Sequence, residues 1–407
     1  MKSRLLALFL AGMLLLHVLL AWNSRELVRK GYPDFTIFYS AGKIVRQGLG
    51  RHMYEEQVQY RIQQEFASGV SIRQGALPYN HPPFEALIFV PLTWLPYVVA
   101  YLLWDLLNLL ILFALPFLLR PHMLVLQQTP GAAWLFVSLA FFPIFIALLQ
   151  GQDIILLLLL FTLAFVALKK GADFVAGCWL ALGLFRFHLI LPLIFILLLQ
   201  RRRKAVLGFV LIAAALTAVS VAVVGWKTTL GYPSYVWHLE QTTGHGAIVS
   251  ADMPNLRGLF DTVLAGRVPQ VTIHLVVVFL SIALVLLASA KWNPSSSGGV
   301  LDLVFSLTVV VLVLVSYHAL IYDLSMLLLP ILFLANRFPA LSSAPGWTRA
   351  ALFIPILVLF FSPLQMDLWF HSGPKILLPP LLTFWIWGMW REISREARLS
   401  QPQSVPL

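Results

Sequence analysis

The chain has 407 residues, of which 60% are hydrophobic and only 11% charged, against roughly a quarter charged in soluble domains. That composition excludes a water-soluble protein. The net charge of +11 does not mark a nucleic-acid surface, because many basic residues sit in short loops between apolar runs: Lys169-Lys170, Arg201-Arg202-Arg203-Lys204 and Arg391 to Arg398. This is the positive-inside pattern of a polytopic protein in a lipid bilayer.

Met1-Lys2-Ser3-Arg4 followed by Leu5 to Trp22 reads as an uncleaved signal-anchor helix, since no small-x-small cleavage site follows. Residues 23–83 then form a first outer loop. It carries eight Lys or Arg, but loops of this length translocate regardless of charge. Within it, 35–48 and 54–67 are predicted interfacial helices, the second from the helical spacing of Tyr54, Val58, Arg61, Ile62 and Glu65. Phe84 to Leu95, bounded by Pro82-Pro83 and Pro96, is too short to span and is expected to dip into the surface.

Helix 97–119 returns to the cytoplasm at Arg120, and short helices 134–149 and 153–168 flank the turn Gln150-Gly151-Gln152-Asp153. Both Lys169-Lys170 and Arg201–Lys204 favour the cytoplasm, so the segment between them crosses an even number of times. Each half reaches only about 20 Å, short of a ~30 Å hydrocarbon core. The pattern therefore predicts a hairpin of two short helices over 172–200, with Arg186-Phe187-His188 at its tip. Helix 205–224, a second outer loop 225–269, and helices 270–290, 301–316, 321–335, 350–363 and 375–390 follow, ending in a basic cytoplasmic tail, 391–407. Ser295-Ser296-Ser297-Gly298-Gly299 reads as a linker. The expectation is an all-α polytopic membrane protein of about twelve membrane segments, several short or re-entrant, forming a single integral-membrane domain over 1–407.

With the basic loops inside, the unusual polar residues gather on the outer face: Asp34, His81, Gln150, Gln152, Asp153, Arg186, His188, Asn255, Arg257, His318, Tyr322 and Asp323. Ionisable groups in apolar surroundings are costly and each is a functional candidate. Asp34 places a carboxylate soon after the first helix, as an acid/base enzyme acting on a lipid-linked substrate requires; the alternative is a cap for the helix after Pro33. Arg186 suits a phosphate, which guanidinium binds bidentately, or else snorkels. His318 either serves a leaving phosphate or is a packing histidine. Asp323 and Asn255 are alternatively helix N-caps, and Gln150 to Asp153 a polar turn. Trp226, Tyr232, Tyr235 and Trp237 read as an interfacial aromatic belt in preference to a sugar platform. The single cysteine, Cys178, leaves no disulfide framework and no thiol metal set. The sequence contains no P-loop, GxGxxG, HExxH or GxSxG motif, so the activated substrate is expected to arrive in the lipid, with no nucleotide, no cofactor and no metal.

Asp34-Phe35 with Tyr39-Ser40-Ala41-Gly42, Tyr54, His81-Pro82-Pro83-Phe84, Pro91-Leu92, Leu95-Pro96, Trp104 to Asn108, Gly151-Gln152, Ala176-Gly177, Leu182-Gly183 before Arg186, Arg201-Arg202-Arg203 and His318 with Tyr322-Asp323 follow one another in an informative order. In that order the chain resembles glycosyltransferase family 87, the polyprenyl-phosphate-mannose-dependent mannosyltransferases of the GT-C superfamily. The resemblance implies a GT-C fold and inverting transfer of a hexose, most often mannose, from a polyprenyl-phosphate donor to a glycolipid, glycan or protein acceptor. By position it makes Asp34 the catalytic base. His318 is expected to assist catalysis and Arg186, His188 and Arg257 to hold the donor phosphate. Tyr39, His81, Gln152, Asp153, Asn255, Tyr322 and Asp323 are expected to contact substrate. The setting implied is the cytoplasmic membrane of a bacterium, with both termini inside. A transporter or flippase of a lipid-linked sugar would share the cavity and the cations but would need no such carboxylate, and would show repeat symmetry.

Overall fold

The structure is a computed structural model that describes residues 2–67, 75–241, 249–292, 298–341, 343–368 and 374–399. Residues 295–297 of the expected linker and 400–407 of the tail lie outside these. Among the described residues the fold is entirely helical. In chain order the principal helices are α1 (Lys2–Arg29), α2 (Phe35–Arg46), α3 (Glu56–Gln64), α4 (Pro83–Trp94), α5 (Tyr97–Leu119), α6 (Gly131–Leu139), α7 (Phe142–Gln150), α8 (Ile154–Lys169) and α9 (Asp173–Leu182). They continue with α10 (Phe187–Leu199), α11 (Arg203–Val224), α12 (Trp226–Gln241), α13 (Leu256–Leu264), α14 (Gln270–Ala290), α15 (Gly298–Val315), α16 (Leu328–Leu341), α17 (Gly346–Phe360) and α18 (Pro374–Leu399).

Five helices are long and apolar enough to cross a membrane, and up to seven if each of two bent pairs is one span; α4, α8, α15 and α17 are shorter apolar helices. The protein is an integral, multi-pass membrane protein. Two expected segments take a different shape. The 134–149 segment is broken into α6 and α7, which meet at 77°, because Pro143 at the start of α7 removes a donor and clashes with the preceding turn. The 172–200 segment is an elbow of 66° between α9 and the helices after it, not an antiparallel hairpin, with a single 3-10 turn Leu184–Arg186 at the bend.

That elbow is fixed by close backbone approach. A Cβ on Gly177 would lie 1.9 Å from the Ala205 carbonyl oxygen, and one on Gly208 would lie 2.1 Å from that of Phe174. α9 and α11 therefore touch backbone to backbone, the small-residue packing that replaces hydrophobic drive between helices in lipid.

The first outer loop has a core of its own. Phe35, Phe38, Met53, Tyr79, Phe89 and Trp104 form a cluster separate from the main one, which runs from Leu10 to Ile393. α2 is buried on almost every side, so it is a core helix of this cap and does not lie flat on a membrane surface. Tyr232 of α12 stacks on Tyr54 of the cap and Tyr235 packs against the same ring at a tilt, and Tyr232 donates to the Asn80 carbonyl at 3.1 Å. These two rings of the expected aromatic belt thus join the two outer loops, while Trp226 and Trp237 are exposed.

Candidate active site

Asp34 stands at the N-terminus of α2, but its side chain does not cap that helix. The capping role is therefore not the one this carboxylate takes. Its Oδ2 instead accepts from Nε2 of Gln152 at 2.7 Å, and its backbone N–H donates to Oε1 of Gln150 at 3.1 Å. Both amides belong to the turn between α7 and α8. Gly151 makes that turn possible: it has φ +61, and a Cβ there would lie 2.7 Å from Cβ of Phe35. α5 holds the turn from behind. Tyr101 donates to the carbonyls of Leu148 and Leu149 at 3.1 Å, and Trp104 Nε1 to that of Gly151 at 3.0 Å, satisfying carbonyls that the end of α7 leaves open.

Arg186, at the elbow, is 2% exposed. Its Nε donates to Oδ1 of Asp153 at 2.9 Å and its Nη1 to Oδ1 of Asp323 at 3.2 Å, while Nη2 binds both Asp153 and Oε1 of Gln152. Its guanidinium carbon lies 5.3 Å from the ring centroid of Tyr322. Four hydrogen bonds from a group with five N–H donors make Arg186 first the clamp of this cluster. Asp153 opens α8 yet does not cap it. Burial works against its ionisation, but the Arg186 guanidinium holds the carboxyl below its ordinary value. Asp323 does cap locally: Oδ2 accepts from the Leu320 N–H at 2.7 Å, so the capping role and the Arg186 contact coexist.

His81 is packed edge-on to Phe38 and stacked on Tyr79. Burial pushes its imidazole down to about 3, which keeps it neutral. Its Nδ1 lies 2.8 Å from Oε2 of Glu85 and 3.6 Å from Oδ2 of Asp153. Burial, reinforced by Asp153, pushes the Glu85 carboxyl well up. Glu85 escapes a reading of the sequence because it is one charge in an ordinary Pro-Phe-Glu run. The fold thus assembles a His81–Glu85–Asp153 group that the sequence, read for acidic ligand clusters, does not display.

A second knot lies at the far wall. His188 Nδ1 is 2.7 Å from Oγ of Ser316, whose hydroxyl donates to the His318 carbonyl at 3.0 Å. The hydroxyl proton is thereby spent, so Nδ1 of His188 carries the proton and Nε2 the lone pair. His318 Nδ1 is 3.2 Å from Oε1 of Glu240, and Arg257 binds the other oxygen of that carboxylate. Arg257 also donates to the Tyr317 carbonyl at 3.2 Å and lies over its ring. Burial acts to raise Glu240, but His318 and Arg257 outweigh it and hold the carboxyl below its ordinary value. Asn255 is the N-cap of α13, accepting from the Gly258 N–H at 2.9 Å, and also donates to the Ser316 carbonyl at 2.8 Å. Tyr39 is packed away from both knots, donating to the Leu95 carbonyl at 2.7 Å.

Two cavities meet at Asp34. The larger, about 870 Å³, is lined by Asp34, His81, Gln152, Arg186, His188 and His318, with Trp237 and Val278 among its apolar wall. The smaller, about 440 Å³, is lined by Phe142, Phe145, Leu149, Leu20 of α1 and Met366. Asp34, Asp252, Leu320 and Tyr322 border both. Asp252 and Glu240 are carboxylates that sequence reasoning missed; the aromatic residues around Glu240 and the cap signal after Asp252 drew attention elsewhere.

A multi-helix membrane protein with a carboxylate between two cavities and buried cations beside it is the class the fold and site define. Residues 79–316, more than half of the chain, match glycosyltransferase family 87; the chain belongs to that family, and membership implies a glycosyltransferase with a sugar donor and an acceptor. Asp34 lies well before the matched stretch and His318, Tyr322 and Asp323 just after it, and all four are joined to it by the contacts above. No curated protein and no solved structure matches the chain.

Proposed function

We propose that the protein is an inverting glycosyltransferase of GT-C type, acting at the outer face of a bacterial cytoplasmic membrane. It moves a hexose, mannose in the first instance, from a polyprenyl-phosphate donor to an acceptor hydroxyl. The observation that carries this reading is the position of Asp34: a part-buried carboxylate, not spent on capping its helix, at the junction of two cavities. Donor and acceptor brought from opposite sides would meet there.

In this mechanism Asp34 takes the proton of the acceptor hydroxyl as that oxygen attacks the anomeric carbon from the face opposite the lipid phosphate. The carbon–oxygen bond to the phosphate breaks, its electron pair leaves with the phosphate, and the configuration inverts in one displacement. Base catalysis of this kind contributes typically ~10²- to 10⁴-fold. Gln152 holds the carboxylate in place. The departing phosphate lies in the larger cavity beside Arg186, His188 and His318, with the charge it develops stabilised by fixed groups. Arg257 acts through Glu240 and His318, because its Nη1 is held by the Glu240 carboxylate and the Tyr317 carbonyl. His81, Gln152 and Tyr322 border the donor space. Asp153 and Asp323 serve by holding Arg186, and Asn255 and Tyr39 by holding Ser316 and the cap.

Of the three acceptor classes, the aromatic and aliphatic wall of the smaller cavity, closed by α1, favours a glycolipid. The test is transfer by purified protein from radiolabelled polyprenyl-phosphate-mannose into a membrane lipid extract. Radiolabel in a new glycolipid supports the reading; transbilayer movement of the donor without transfer supports the flippase instead.

A further inference from the structure

Behind the larger cavity three buried atoms make no hydrogen bond: Nδ1 of His81, Oε1 of Glu85 and Oδ2 of Asp153. Their residues are 7%, 0% and 1% exposed. One donor atom from each residue lies within 4.8 Å of the other two, and the separations from His81 Nδ1, 2.8 Å to Oε2 of Glu85 and 3.6 Å to Oδ2 of Asp153, are those of neighbours around one ion. Ligands bound at about 2.0–2.2 Å sit about 2.8–3.6 Å apart, from octahedral to tetrahedral geometry.

The surrounding contacts aim these atoms inward. Tyr79 Oη shares its proton between the Pro82 carbonyl at 3.1 Å and Oε2 of Glu85 at 3.2 Å, Arg186 occupies Oδ1 of Asp153, and Tyr54 Oη donates to the His81 carbonyl at 2.8 Å. Outer partners of this kind orient metal ligands. The charges point the same way. A single guanidinium, Arg186, stands among the carboxyls of Asp153, Asp323 and Glu85, and buried carboxylates in excess of cations are strongly unfavourable.

We propose that His81, Glu85 and Asp153 bind one divalent transition-metal cation of the Mn²⁺ or Zn²⁺ type. An imidazole beside two carboxylates selects these ions over Ca²⁺ and Mg²⁺, which prefer oxygen alone. Three protein ligands leave coordination positions open, and His81 is the ligand that also lines the cavity. The ion ties the 79–85 segment of the cap to the turn that carries Gln152, and so to Asp34. On the transferase reading it also offsets the acid excess that an anionic lipid phosphate meets in the cavity. Only that last consequence rests on the proposed function; the binding site does not.

A proton shared between Glu85 and Asp153 would satisfy the same atoms without a metal, and the experiment separates the two. The full-length protein in detergent, stripped with a chelator at neutral pH, is titrated with Mn²⁺ and followed by electron paramagnetic resonance, with no sugar substrate present. The expected result is saturable uptake of one equivalent per chain, with nitrogen-14 coupling from an imidazole and a rise in the thermal midpoint. His81→Asn should abolish the nitrogen coupling, and Glu85→Gln should weaken binding by at least about tenfold. Failure of the wild type to take up Mn²⁺ saturably, uptake without nitrogen coupling, or coupling unchanged in the His81→Asn protein would each overturn the site. Because the readout is metal binding alone, it stands or falls independently of glycosyl transfer.

Discussion

Gln152 bridges the candidate base and its nearest cation: Nε2 donates to Oδ2 of Asp34 at 2.7 Å, while Oε1 accepts from Arg186. The two partners are 118 and 34 residues away along the chain. One amide therefore sets both the direction of the carboxylate and the reach of the guanidinium.

Removing that amide should damage the chemical step more than donor binding. A hydrogen bond to a charged group is worth roughly 1.5–3 kcal/mol, so Gln152→Ala is expected to lower kcat by about 10- to 100-fold with the donor KM changed by less than about threefold. Steady-state kinetics on the purified variant give the answer. A rise in KM at unchanged kcat would place Gln152 in donor binding instead.

Glu240 links Arg257 to His318, and its carboxyl titrates below the ordinary value of 4.5. A depressed acid contributes stability that is present above the unfolded-state pKa and lost as pH falls through the folded-state one. Glu240→Gln should therefore melt at a lower temperature than wild type at pH 7, with the gap closing as the pH is taken below about 4.5. Thermal unfolding across that range measures it, and a gap independent of pH would remove the charge from the explanation.

The elbow that presents Arg186 depends on bare backbone contact between α9 and α11. Gly177→Ala should cost about 1–3 kcal/mol and lower the melting temperature, as should Gly208→Ala. Gly12, where an added Cβ would meet nothing within 4 Å, provides the control: Gly12→Ala should be neutral or slightly stabilising. Equal melting temperatures for all three would mean that the crossing is not tight.

Helix positions were largely legible, since hydropathy and proline punctuation act locally. Tyr97–Leu119 and Gln270–Ala290 have the bounds expected of them. The breaks were less legible. Pro143 sits in a run apolar on both sides, and periodicity alone does not show that the chain turns by 77° there. At the site, the polar residues named from the sequence mostly converge, because an ionisable group in an apolar run needs a partner. Their pairings were not legible. Arg186 looks like an open cation in sequence and is clamped by carboxylates 33 and 137 residues away. Glu85 and Glu240 looked unremarkable and hold His81 and His318. Tyr39 lies near the candidate base in sequence, yet its hydroxyl faces Leu95.

That last placement yields its own prediction. Tyr39→Phe should lose about 1 kcal/mol of stability, the worth of one neutral hydrogen bond, and leave donor KM and kcat within about twofold. Calorimetry and kinetics together decide it, and a large rise in donor KM with unchanged stability would return Tyr39 to the substrate site.

The most direct test of the central claim compares wild type with Asp34→Asn in transfer from radiolabelled polyprenyl-phosphate-mannose to a membrane lipid extract. The substitution keeps the shape of the side chain and removes its basicity. The account predicts that transfer falls by about 10²- to 10⁴-fold while the melting temperature and donor binding stay close to wild type. Transfer at equal rates by the two proteins would contradict it and make Asp34 a structural residue.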